Sequence, residues 1–126
     1  MKNAEIFTDK IAETLMIVDG DNLDVYKANA EDYIGKLKDL DAKYTKAVND
    51  ATVKTLLFGD RFPFRYLTDD YGIEYFAAFD GCEADVEASF ETIAFLSKKL
   101  KELSLPAVMI IDSSKANIAY TVFETA

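Results

Sequence analysis

The sequence predicts an α/β protein: long N-terminal helices, then a small parallel sheet of about three strands with flanking helices. Three observations carry the prediction. An apolar seam with alternating four- and three-residue spacing runs through Tyr26, Ala30, Tyr33, Leu37, Leu40, Tyr44, Ala47 and Ala51. Three short apolar runs follow, Val53–Phe58, Ile73–Phe79 and Ala107–Ile111, separated by stretches of helical periodicity. Strands that are apolar throughout and alternate with helices suit a parallel sheet covered on its faces. The element order reads α-α-β-α-β-α-β-α, with a helical segment over 1–51 and an α/β segment over 52–126.

The first helix is expected over about Asn3 to Val18, where Ile6, Phe7, Ile11, Leu15 and Val18 recur at helical spacing. Gly20 is a natural stop, and Asp21 or Asn22 is placed to cap the next helix through its side-chain oxygen. The seam of the second helix spans roughly 28 residues, about 40 Å at 1.5 Å per residue. Lys36, Lys38, Asp39, Asp41, Lys43 and Lys46 lie between seam positions as a solvated face. Tyr and Ala in a short seam suit packing on another surface better than a free coiled coil. Gly35 inside this pattern suggests the close approach of another backbone.

The first strand is expected to end at Gly59-Asp60, and a short helix over Phe64–Tyr71 follows, with Pro63 near its first turn and Gly72 as its stop. The loop Asp80-Gly81-Cys82-Glu83-Ala84-Asp85 leads to an amphipathic helix over Ser89–Leu103. Its acids come early and its lysines late, in accord with the helix dipole. Pro106 precedes the third strand, and Asp112-Ser113-Ser114 is placed to cap a last helix from Lys115. Three strands make a small sheet, and the last helix reaches Thr125-Ala126 without a stop signal. Both predict that the natural chain continues.

Composition narrows the function. A chain of 126 residues that is 50% hydrophobic is one ordinary domain with enough apolar surface for a core. No stretch approaches the roughly 20 apolar residues of a membrane-spanning helix. The first residues carry charges throughout and lack the apolar centre of a signal peptide, so the sequence as written is not expected to direct its own export. The net charge of −9 argues against nucleic-acid binding, because phosphates attract basic surfaces. It is compatible with a cation ligand and equally with a plain solvated acidic surface. With no histidine, the commonest transition-metal ligand and general base is absent, and so are Ser-His and Cys-His pairs. One cysteine, Cys82, allows no intrachain disulfide. No Cys-x-x-Cys, phosphate-binding glycine loop or G-x-S-x-G elbow is present.

In a parallel α/β sheet, ligands bind at the carboxyl ends of the strands. Those ends are read here as Gly59-Asp60-Arg61, Asp80-Gly81-Cys82-Glu83 and Asp112-Ser113-Ser114, each with an acid and one with a thiol. A carboxylate and a thiolate at such an edge can ligate a divalent metal. Acids at strand ends also commonly cap helices or face water. Asp60, Asp80 and Asp112 are equal candidates on this reading, and Cys82 is a further candidate ligand or reactive group. The aromatic group Phe62, Phe64, Tyr66, Tyr71, Tyr75, Phe76 and Phe79 fits a core better than a stacking surface.

The runs Phe58-Gly59-Asp60-Arg61-Phe62-Pro63-Phe64-Arg65-Tyr66-Leu67 and Asp70-Tyr71-Gly72-Ile73, together with Ala77-Ala78-Phe79-Asp80-Gly81-Cys82-Glu83-Ala84 and Glu87–Ile93, resemble the zinc/manganese solute-binding proteins of ABC importers. The resemblance is closest to a Gram-positive branch of adhesin-like surface lipoproteins. It extends upstream through Asn3-Ala4-Glu5 and Asn29-Ala30-Glu31-Asp32-Tyr33, and so covers nearly the whole chain.

The resemblance implies a two-lobed fold joined by one long rigid helix, with the metal in the cleft, and a parent protein that is extracytoplasmic and passes zinc or manganese to an ABC permease without catalysis. It implies that this chain holds the linking helix and part of the second lobe, that two histidine ligands precede Met1, and that a closing acid follows Ala126. The remaining ligand position falls near Asp60-Arg61. Alignment on Tyr66 without a gap places Arg61 there, and arginine has no acceptor for a metal; a small shift places Asp60 there. The 126 residues alone are then expected to bind no metal tightly and to self-associate through exposed apolar surface. The competing expectation is a self-contained flavodoxin-like domain, phospho-acceptor or small enzyme, using Asp60.

Overall fold

The computed structural model describes residues 1–80, 88–111 and 116–126. The expected loop at Gly81–Asp85, with Cys82, and the expected cap at Asp112-Ser113-Ser114 lie outside the described residues. The chain forms two compact units, Met1–Ala51 and Thr52–Ala126.

The first unit is a helical hairpin: α1 (Lys2–Val18), a single 3-10 turn at Gly20–Asn22, and α2 (Leu23–Asp50). α1 ends on Asp19, one residue before the expected glycine stop. Asn22 stands at the N-terminus of α2, but its side chain makes no capping bond there. It turns back instead. The Asp19 carboxylate accepts from Asn22 Nδ2 at 2.9 Å and from the Tyr26 hydroxyl at 2.7 Å, so a single acid clamps the turn. These two donors, Tyr26 first, hold the Asp19 carboxyl below its ordinary value, and the same bond raises the Tyr26 hydroxyl.

Only part of the predicted seam is covered. Leu37 is buried, and Tyr26, Ala30 and Ile34 are half-buried, whereas Tyr33, Leu40 and Tyr44 are exposed. Length explains much of this. The 17 residues of α1 reach about 25 Å along a 28-residue helix of about 42 Å, so the far end of α2 has no α1 beside it. Among the described residues no backbone makes the close approach expected at Gly35, where a Cβ would meet open space.

The second unit contains β1 (Thr55–Phe62), α3 (Arg65–Tyr71), β2 (Glu74–Asp80), α4 (Phe90–Glu102) and α5 (Asn117–Thr125). β1 and β2 pair in parallel, Thr55 beside Glu74 through Phe58 beside Ala77. α3 makes the crossover. It ends on Gly72, which takes the left-handed conformation (φ 64°) that glycine reaches without a Cβ penalty. The Gly72 and Ile73 N–H groups both donate to the Thr68 carbonyl. Ser89 caps α4 by accepting from the Thr92 N–H at 3.1 Å.

The core lies between the sheet and the two later helices. Leu57, Leu96, Leu100, Leu105 and Val122 form it, with Phe76, Ile93, Val108 and Ile118 packed against it. The buried Ser97 hydroxyl donates within α4 to the Ile93 carbonyl and lies 3.0 Å from the Val122 carbonyl of α5, tying the two helices together.

Two expectations change here. β1 does not stop at Phe58 but continues through Gly59, Asp60 and Arg61 to Phe62. The expected third strand reduces to one parallel bridge, Phe58 beside Met109, so the described sheet has two strands.

Candidate metal site at the end of the first strand

Between Phe58 and Arg61 the β1–β2 register slips by one residue: Gly59 and Asp60 together stand opposite Ala78. A bulge of this kind bends the strand and re-aims side chains. It lets a Gly-Asp pair, which in sequence reads as a turn, remain inside a strand.

Gly59 is there for space. A Cβ on it would lie 2.6 Å from Cα, 2.7 Å from Cβ and 2.9 Å from N of Ala119. The backbone of α5 thus crosses β1 at van der Waals contact, and only glycine permits it. The sequence carried a signal for this, because a glycine inside an apolar run marks close backbone approach as readily as a strand end.

Asp60 is buried, with 7% of its surface exposed. Its Oδ2 accepts from the Ile111 N–H at 2.9 Å and its Oδ1 accepts from the Arg61 N–H at 2.7 Å. The Arg61 guanidinium lies further off, Nε to Oδ1 3.9 Å, and its side chain is about one-third exposed. A buried carboxylate requires donors of this sort, since an unpartnered one would be costly. Nothing in the sequence signals a bond to Ile111, fifty-one residues away.

Most of the predicted aromatic group is packed. Phe62 stacks on Tyr75 with centroids 3.5 Å apart, Phe58 and Phe64 surround Phe62, and Phe76 meets Phe95 edge-on. Tyr66 faces solvent, and Phe64 is exposed too despite its ring contacts.

The candidate ligands are not brought together by any described geometry: Asp60 lies in β1, and Cys82 lies outside the described residues. Among the described residues, no three carboxylate, thiol or imidazole groups cluster as a metal cage, and no helix is long and apolar enough to cross a membrane.

The fold matches part of the solved structures of metal-binding proteins. A mutant, Mn-bound form of the periplasmic metal-binding protein of Candidatus Liberibacter asiaticus superposes with a TM-score of 0.79 at 18% identity, over 98% of this chain and 46% of that one. Sequence relatives are more specific. The zinc-binding protein AdcA of Streptococcus pyogenes is 35% identical over 101 residues, 80% of this chain and 19% of AdcA. The manganese ABC transporter substrate-binding lipoprotein PsaA of Streptococcus pneumoniae is 27% identical over 114 residues, 90% of this chain and 36% of PsaA. The family described as ZnuA, zinc-uptake complex component A, periplasmic, matches residues 1–126, and the chain belongs to it. It spans between about a fifth and a little over a third of the length of these two curated relatives.

Proposed function

We propose that this chain works as part of an extracytoplasmic solute-binding protein that captures zinc or manganese and passes it to the permease of an ABC importer. The match of the ZnuA family to all 126 residues carries the reading. It is supported by the relatives AdcA, named a zinc-binding protein, and PsaA, named a manganese ABC transporter substrate-binding lipoprotein. On this reading no bond is made or broken, so no catalytic residue is assigned. PsaA is named a lipoprotein, and a lipid anchor on the whole protein accounts for retention at the cell surface on this reading.

Asp60 and Cys82 are the donors that this chain offers to the ion, each as one ligand of a set completed elsewhere in the whole protein. Asp60 is offered on its chemistry, since a carboxylate oxygen is a ligand for either ion. Two donors fall short of the four of a closed tetrahedral zinc site, so the 126 residues alone bind zinc weakly. Calorimetric titration giving a sub-micromolar single site on this chain would refute that. Ile6, Phe7, Ile11, Ile17 and Val18 of α1 are exposed, and large apolar surfaces seek partners. The isolated chain therefore self-associates, and a clean monomer at high concentration in sedimentation would refute it.

The family match over all 126 residues favours this reading over a phospho-acceptor domain. The test is uptake. Deleting the gene that contains these residues lowers zinc or manganese accumulation at limiting metal, and restoring it recovers accumulation. Unchanged uptake of both metals refutes the proposal.

A further inference from the structure

We infer that Asp60 is a positioning residue: its carboxylate takes the place of a rung of the sheet and so fixes Ile111 at the carboxyl edge. The inference rests on the reading above for its significance, because that edge is where an α/β sheet presents its ligands.

The parallel ladder between β1 and the 107–111 segment alternates regularly at first. Met109 N–H donates to the Leu57 carbonyl at 2.7 Å, and Gly59 N–H donates to the Met109 carbonyl at 3.0 Å. Continued by one step, the ladder would pair Asp60 with Ile111, with Ile111 N–H donating to the Gly59 carbonyl. Instead Ile111 N–H goes to Asp60 Oδ2, and the N–H on the other side, that of Arg61, goes to Asp60 Oδ1. One side chain thus serves both donors of the missing rung. A hydrogen bond to a charged acceptor is about twice as strong as its neutral counterpart, so the substitution need not weaken the edge.

The geometry also accounts for two features that otherwise stand unrelated. The bulge at Gly59-Asp60 accompanies a carboxylate aimed at Ile111, and among the described residues the third segment pairs through a single bridge, next to the rung that the side chain replaces. The main chain at 111 is then held by a group that a substitution can remove while leaving the bridge at Met109 in place. This role concerns the apo chain and holds whether or not Asp60 also touches an ion.

The test is residue-resolved amide exchange by NMR on the 126-residue chain without metal. In Asp60→Ala, the Ile111 amide exchanges about tenfold faster while amides in α2 and α4 keep their rates. Asp60→Asn gives a second reading should the alanine variant fail to fold. Its side chain has one acceptor oxygen for two donors, so either Ile111 or Arg61 loses protection. Unchanged exchange at both amides in Asp60→Asn, or a uniform rise throughout the second unit in Asp60→Ala, overturns the inference. Because no metal is used, failure here leaves the transport reading standing, and failure of the uptake test leaves this one standing.

Discussion

Replacing Gly59 with alanine should destabilise the second unit through one identifiable collision. The new methyl would lie 2.6 Å from Cα and 2.9 Å from N of Ala119, so main-chain atoms of α5 must retreat rather than a flexible side chain. Overpacking of this kind costs typically about 1–3 kcal/mol. In a unit of this size each kcal/mol lowers Tm by roughly 4–8 °C, so the expected fall lies between about 4 and 24 °C. The assay is thermal unfolding followed by circular dichroism, with urea unfolding as a second measure. A double-mutant cycle identifies the cause. Ala119→Gly removes the Cβ contact at 2.7 Å but leaves the two main-chain contacts, and by itself costs about 1 kcal/mol in a helix. Combined with Gly59→Ala it should give less than the sum of the two single losses. A Gly59→Ala protein with unchanged Tm, or strictly additive losses in the cycle, would refute the claim that β1 and α5 touch at this point.

Other substitutions test the remaining contacts. Leu96→Ala removes a side chain with no exposed surface from the core, and should cost about 2–5 kcal/mol in urea unfolding; a loss under about 1 kcal/mol would mean that α4 does not seal the sheet. Tyr26→Phe removes the larger of the two donors that depress the Asp19 carboxyl, which should titrate closer to its ordinary value in carbon-detected NMR. Because the folded value is depressed, the clamp's contribution is present above the unfolded pKa and is lost as pH falls through the folded one. The wild-type hairpin should therefore lose this advantage over Tyr26→Phe in acid, as Asp19 is protonated, and again in strong alkali, as the Tyr26 hydroxyl ionises; an advantage independent of pH down to full protonation would contradict the assignment.

The sequence showed most of the fold and less of the site. The seam from Tyr26 to Leu37, the stop at Gly72 and the charge order of α4 are local signals, and the structure has an element at each. Gly59-Asp60 misled because glycine and aspartate are turn formers, and only tertiary packing shows that one admits α5 and the other replaces a rung of the sheet. The exposed half of the α2 seam shows the limit of periodicity, which reports that a face is apolar and not what covers it. Asp60 was legible as a residue of interest at the correct edge. Its bond to Ile111 was not, since no local pattern links positions so far apart in sequence.

The most direct measurement is metal titration of the protein encoded by the whole reading frame that contains these residues. Calorimetry with chelator competition should show one zinc or manganese ion bound per molecule with sub-micromolar affinity, and no comparable site on the 126-residue chain. A whole protein that binds neither ion at micromolar concentrations would contradict the account.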